Sequence, residues 1–177
     1  METLTLLDGR AVVIRPARAE DAEALVAYVN QVAGESPFLT FGAGEFDMTV
    51  ERERAFLASQ GEDMCYLLAV ADGAIVGTAN VARNSPRPRR RHRATMGVSV
   101  SKACWGMGIG RALMQAVIIW CRAMGMEQLE LGVFSHNERA LHLYEKMGFK
   151  ATGSIPRAVK YPDGSYADEV MMVLPLA

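Results

Sequence analysis

Little in this chain points to a disulfide framework, a membrane span or a polyanionic partner. Its three cysteines, Cys65, Cys104 and Cys121, are an odd set without C-x-x-C spacing. That pattern speaks against a paired scaffold or a zinc site and suits free thiols in a reducing compartment. No apolar run approaches the ~18 residues of a membrane helix. The opening Met-Glu-Thr-Leu lacks the character of a signal peptide, so a cytoplasmic location without a membrane partner is expected. The formal net charge of -1 leaves no whole-protein attraction to nucleic acid or anionic lipid. Repeats, low-complexity linkers and a domain boundary are also missing. What is there is a chain of 177 residues, half of them hydrophobic and 22% charged. It reads as one domain over residues 1–177, of a size that buries about 70% of its unfolded surface.

The most informative stretch runs from Val98 to Leu113. Val98 and Val100 alternate as a strand, and Gly106, Gly108 and Gly110 form a tight cluster. Ile109, Leu113, Ala116, Val117 and Trp120 then fall at helical spacing. Strand, glycine turn and helix aim unpaired backbone N–H groups at one point, and the helix N-terminus adds about half a positive charge. Such a turn seats a phosphate. It also serves simply to let a strand and a helix pack closely, and glycines alone do not decide between the two. In Gly106-Met107-Gly108-Ile109-Gly110 the third glycine comes one residue early for a dinucleotide fingerprint. No Gly-Lys-Ser/Thr follows, which excludes a P-loop.

A second segment narrows the choice. Residues 129–133 alternate as a strand. Residues 137–149 read as a short helix, with Asn137 as N-cap, Ala140, Leu143, Tyr144 and Met147 on one face, and Gly148 as the stop. Together, W-G-x-G-I-G-x-x-L followed by N-x-x-A-x-x-L-Y-x-K-x-G-F resembles the GNAT superfamily of acyl-CoA N-acyltransferases. The resemblance extends from about Val12 to the last strand and is strongest from Arg93 to Gly153. One position departs from it: where the family's phosphate motif carries Gln or Arg, this chain has Trp105. In the family, main-chain N–H groups do most of the phosphate binding.

Elsewhere, residues 10–15 read as a strand, and Pro16 precedes a helix over 19–31. Residues 34–46 are loop-rich, with Phe38, Phe41 and Phe46 interspersed, and Thr49 caps a helix to about 59. Strands over 64–71 and 74–83 flank the hairpin turn Asp72-Gly73, and another covers 94–100. After the two strand–helix motifs come strands over 149–154 and 166–174, with Asp163-Gly164 between them. That order describes an α/β (α+β) fold: a mixed, mostly antiparallel central sheet with helices on both faces. The resemblance implies the same GNAT-like sheet with a splayed strand pair for acetyl-CoA.

The resemblance further implies an N-acetyltransferase that moves an acetyl group from acetyl-CoA, its cosubstrate, directly to a primary amine of a small molecule or a protein. It places the pantetheine arm against the backbone of Val98 and Val100. The main chain of Gly106, Met107, Gly108, Ile109 and Gly110 would hold the pyrophosphate, with Arg111 adding a charge-assisted bond. Asn137 would touch the cofactor as well as cap its helix. Tyr144 would be the general acid, since a phenol of pKa about 10 keeps its proton at pH 7 for a departing thiolate. Outside the motif, Tyr144 reads as an aromatic on a buried helix face.

The base is less legible. Freeing an alkylamine of pKa about 10.4 from its proton at pH 7 costs about 4–5 kcal/mol. Where some family members carry a catalytic glutamate this chain has Gly132. Glu130 lies on the same side of the strand, placed either to act through a water or to form a salt bridge. In the family the acceptor pocket is walled by the first helices, their loop and the last hairpin. Glu35, Phe38 and Phe41 are therefore candidates to hold the amine, though they read equally as a solvated acid and a hydrophobic plug. No metal is expected.

Residues 87–93 hold five arginines in seven positions. No aromatic residue interleaves with them, so stacking on single-stranded nucleic acid is unsupported. A solvated hairpin tip or a contact between copies of the chain is the simpler reading, and dimers among family members make a homodimer an expectation. From another class, the same motifs would serve a non-catalytic acyl-CoA-binding sensor. The intact Tyr144 favours the enzyme.

Overall fold

The computed structural model describes residues 2–6 and 9–176. Eight strands form one sheet: β1 (Glu2–Thr5), β2 (Ala11–Pro16), β3 (Met64–Ala71), β4 (Ala74–Arg83), β5 (Arg93–Val100), β6 (Gln128–Phe134), β7 (Lys150–Lys160) and β8 (Tyr166–Pro175). Their spatial order is β1-β2-β3-β4-β5-β6-β8-β7. Every neighbouring pair is antiparallel except β5 and β6. The described residues also form four α-helices: α1 (Ala22–Glu35), α2 (Val50–Ala58), α3 (Ile109–Ala123) and α4 (Glu138–Lys146). No described helix is long and apolar enough to cross a membrane.

Two cores lie on opposite faces of the sheet, and the period of β3 shows how. Cys65, Leu67, Ala69 and Ala71 join the core under α3, while Tyr66, Leu68 and Val70 join the core under α1 and α2. A strand covered on both faces reads as an unbroken apolar run rather than an alternating one. Helix α3 buries Ile109, Leu113, Val117 and Cys121, one helical stripe, with Ala112, Met114 and Ile118 beside it. Burial of Leu113 alone stabilises the fold by about 1.5–3 kcal/mol. The β3–β4 hairpin turns on Asp72 and Gly73, both at positive φ (+50° and +80°), the geometry that twists with its strands.

Three boundaries differ from expectation. Strand β1, absent from the sequence reading above, pairs Glu2–Thr5 with β2 in an alternation too short to register there. The first helix starts after a 3-10 turn over Ala19–Asp21, where the Asp21 carboxylate takes both Arg15 nitrogens (2.7 and 2.6 Å) and the Arg18 N–H (2.8 Å). It then runs through Gly34 to Glu35 and stops before Pro37. Strand β7 continues to Lys160 because a register shift between Ile155 and Val159 absorbs Pro156.

The feature that positions the site is a parting of strands. β5 and β6 pair only through Arg93–Gln128, Ala94–Leu129 and Thr95–Glu130. Beyond that point β5 stays with β4 as far as Val100–Gly77, and β6 stays with β8 as far as Phe134–Glu169. The sheet therefore opens into a V.

Candidate active site

A cleft of about 1510 Å³ fills the opening, lined by Met96 to Val100 on one side and Leu131 to Phe134 on the other. The Ser101 N–H donates to the Val76 carbonyl (3.0 Å) on the β4 side. Strand alternation then turns the main-chain groups of Val98 and Val100 towards the open edge. Trp105, which stands where the family has Gln or Arg, donates from its indole Nε1 to the Val100 carbonyl (2.7 Å). The Arg139 guanidinium stacks over the same ring at 3.5 Å. The aromatic replacement thus ties down the strand edge and steadies a cation from α4.

The two readings of the glycine turn separate here. Gly106 and Gly108 have φ of +78° and +86°, and beyond their own chain neighbours no heavy atom of the described residues stands within 4 Å of where either Cβ would be. They are glycine because of backbone conformation, and the space beside them is open rather than packed. Gly110 is different: its Cβ would meet Leu143 and Val100 at 3.5 and 3.7 Å, ordinary contacts. The Gly108 carbonyl accepts the Ala112 N–H (3.1 Å), which leaves the first-turn N–H groups of Ile109, Gly110 and Arg111 without helical partners. Open space facing those donors fits a pyrophosphate. Met107 does not line the cleft: its side chain packs on the core and meets Arg10 Nη2 at 3.8 Å. Arg111 lines the cleft and is exposed.

From α4, Asn137 does two things: its side chain accepts the Ala140 N–H (3.3 Å), and it lines the cleft. Tyr144 is only 8% exposed and packs against Phe149, with ring centroids 6.0 Å apart. No fully enclosed polar side-chain atom of the described residues lacks a partner. The Tyr144 hydroxyl, which bonds no described residue, therefore opens on the cleft that Tyr144 lines. Burial pushes its pKa up to about 12 against the opposing charge of Arg139. The proton stays on Oη at neutral pH.

The other end of the cleft lies on the α1–α2 side. Phe38 and Phe41 line it, joined by Phe46, Phe56 and Tyr66. Tyr161, from the β7–β8 hairpin, donates to the Pro37 carbonyl (3.1 Å) and meets His136 Nε2 at 3.2 Å. His136 in turn packs against Phe38 (5.1 Å) and stacks on Phe134 (6.3 Å). These contacts pin the α1–α2 loop across the cleft.

Two acids expected at the site are occupied elsewhere. Glu35 is not on the cleft; its carboxylate takes Gln31 Nε2 (2.7 Å) and the Lys102 N–H (2.8 Å), so it ties α1 to the β5–α3 turn. Those two bonds, in that order, hold its pKa low. Glu130 does not line the cleft either. Arg93 engages both its oxygens, one of them at 2.8 Å, with Gln128 (2.8 Å) and Asn84 (3.1 Å) completing the shell. Burial alone would raise its pKa, but these bonds outweigh it and hold the carboxyl low. An acid committed in this way is a poor relay to the cleft, so the salt-bridge reading of Glu130 replaces the water-relay one. The same contact shows what Arg93 does, while Arg87, Arg89, Arg90 and Arg91 stay exposed at the β4–β5 tip.

Of the other acids, Glu138 lines the cleft from α4, and two more line it from outside α3 and α4. A Cβ on Gly132 would collide with the Glu169 carboxylate, whose carbon would lie 2.7 Å away. The chain thus places a β8 carboxylate over the very position where the family's glutamate is absent. Glu53, on α2, is the other, and it is almost fully buried. The sequence shows which face each shares, though not that either reaches the cleft. Glu53 shares the buried face of α2 with Leu57, and Glu169 shares a strand face with Ala167 and Met171.

A mixed sheet parted beside a glycine turn with free helix N–H groups, with a buried tyrosine lining the same cleft, is the arrangement of a class of acyl-group transferases. Residues 24–149 match the model of the acetyltransferase (GNAT) family, and the chain belongs to that family. It is similar to the L-amino acid N-acetyltransferase AaaT of Escherichia coli, 34% identical over 109 residues, which is 60% of this chain. The chain spans 65% of that relative's length and 35% of another's. A solved GNAT-family acetyltransferase from Streptococcus pneumoniae superposes with a TM-score of 0.88 at 32% identity, covering 93% of this chain and 99% of the other. The fold is also that of yncA from Salmonella typhimurium, solved with its cofactor acetyl-CoA, with a TM-score of 0.81 at 24% identity over 94% of each chain.

Proposed function

We propose that the chain is an acetyl-CoA-dependent N-acetyltransferase that modifies the primary amine of a small molecule by direct transfer. The observation that carries this reading is that the glycine cradle, the Tyr144 hydroxyl and the Glu169 carboxylate open on one cleft. Acetyl-CoA, when bound, supplies an activated acetyl thioester. The residues fitted to hold it are the first-turn N–H groups of α3, the Val98 and Val100 backbone, Arg111 and Asn137.

Glu169 draws the acceptor's ammonium to the parting of the strands and relays its proton towards solvent; freeing the amine at pH 7 carries a cost of about 4–5 kcal/mol. Tyr144 keeps the proton that the departing thiolate needs on its Oη. The loop pinned by Tyr161 excludes water and favours a small acceptor over a protein surface; the name of the relative AaaT, an L-amino acid N-acetyltransferase, supports a small amine as well. Cys65, Cys104 and Cys121 are buried and free, and burial pushes the Cys65 thiol up to about 11 and Cys121 to about 12. Buried, free thiols support a reducing, cytoplasmic setting.

Thiol release with acetyl-CoA and an amine panel tests the roles. Tyr144→Phe and Glu169→Gln should each lower kcat by about 100-fold or more, with acetyl-CoA affinity retained. Wild-type kcat in both variants would remove the roles. A protein that binds acetyl-CoA yet acetylates no amine would be the sensor instead.

A further inference from the structure

Glu53 is 4% exposed, and while its backbone N–H donates to the Thr49 carbonyl (2.9 Å), its carboxylate makes no hydrogen bond or ion pair with a described residue. Since no fully enclosed polar atom lacks a partner, its carboxylate reaches the cleft it lines. A buried carboxylate with nothing to offset its desolvation is costly, and burial raises its pKa accordingly. A ligand cation would relieve that cost. The same cleft is lined by Phe46, Phe56 and Tyr66, the last two edge-to-face at 6.3 Å, aromatic surface that accepts a methylene chain and a cation alike.

The distribution of charge along the cleft completes the pattern. The lining arginines and lysine, Arg111, Arg139 and Lys146, all come from α3 and α4, beside the glycine cradle. The lining residues from the α1–α2 side and from β8 include no lysine or arginine, only the acids Glu53 and Glu169. A carboxylate on the acceptor would meet these two acids with no base to pair it.

We propose that the acceptor is a carboxylate-free amine bearing a second cationic group on an apolar spacer, with Glu53 gripping the second cation while the amine sits at Glu169. This deepens the acetyltransferase reading and rests on it for the reacting end alone. Glu53 is the selectivity residue, because an isolated buried acid discriminates by whether a cation arrives to pair with it.

Agmatine, L-arginine and n-pentylamine test it. Agmatine and L-arginine share a guanidinium and differ by the α-carboxylate, and pentylamine lacks the second cation. Agmatine should show kcat/KM roughly 10- to 100-fold above both, and should bind the protein in a calorimeter with a similar advantage. Glu53→Gln should reduce agmatine to the level of pentylamine, while Glu51→Gln, an exposed acid on the same helix, changes neither value. Binding of agmatine that depends on Glu53, without transfer, would uphold the cation site and count against the acetyltransferase reading. L-arginine or pentylamine working as well as agmatine would overturn the inference and leave the activity standing. Failure of agmatine either to bind or to react would also overturn it.

Discussion

Gly108→Ala separates a phosphate cradle from a turn that merely lets β5 and α3 meet. Gly108 stands at φ +86°, and beyond its own chain neighbours an added Cβ would have no described heavy atom within 4 Å. Alanine in the left-handed region costs about 1–2 kcal/mol. For a domain of this size the melting temperature should fall by about 2–8 °C. No clash adds to that, so the variant should fold. Its methyl group would stand in the open space before the α3 N-terminus and obstruct approach of an anion to the free N–H groups. Loss of one hydrogen bond to a charged group, about 1.5–3 kcal/mol, corresponds to roughly 10- to 150-fold in acetyl-CoA affinity. Gly110→Ala is the control: the methyl would make only ordinary contacts with Leu143 and Val100, and alanine is favoured in a helix by about 1 kcal/mol. It should melt no lower than wild type. Thermal melts without ligand and calorimetric titrations with acetyl-CoA read the two effects apart. A Gly108→Ala protein that melts lower yet binds acetyl-CoA like wild type would refute the cradle and leave only the turn.

Other substitutions probe the acids and caps. Glu130→Gln should leave kcat within about twofold of wild type, because Glu130 serves Arg93 rather than the cleft, and should destabilise the fold by about 1–3 kcal/mol. A hundredfold loss of kcat would return Glu130 to the reaction. The folded-state pKa values of Glu130 and Asp21 are both lowered, Asp21 chiefly by its hydrogen bonds from Arg15. Their stabilisation is therefore complete above the unfolded carboxyl value of about 4 and is lost as pH falls through the depressed folded values. Melting temperature should decline in that acid window, less steeply in Glu130→Gln, and an equal decline would contradict the linkage. Thr49→Ala removes the oxygen that accepts the Arg52 N–H at 3.2 Å and should cost about 0.5–2 kcal/mol in denaturant unfolding. A change within measurement error would show that the cap contributes nothing.

Legibility followed distance along the chain. The strand, the glycine turn and α3 are contiguous, so their spacing placed Val98, Val100 and the three glycines in one strand–turn–helix, while the cofactor roles proposed for them, and for Asn137 and Tyr144 in a second contiguous motif, came with the resemblance. Phe38 and Phe41 were reachable through the resemblance. Glu169 was not, because the vacancy over Gly132 is filled from another strand, and that register exists only in the assembled sheet. Alternation correctly put Glu130 on the face of Gly132 but carried no information about Arg93, its partner across the parallel pairing. Glu35 shows the same limit: helical position says nothing of a backbone N–H delivered from the β5–α3 turn. Boundaries slipped where local chemistry overrode propensity, as when the Pro156 bulge let β7 run on to Lys160.

Calorimetric titration of the wild-type protein with acetyl-CoA at moderate salt bears most directly on the proposed activity, since every role assigned to Tyr144, Glu169 and Glu53 presumes that the cleft holds the cofactor. A saturable one-to-one isotherm, weakened by Gly108→Ala and not by Glu130→Gln, is the expected result. No heat at millimolar acetyl-CoA would contradict the proposed enzyme while leaving its fold and family in place.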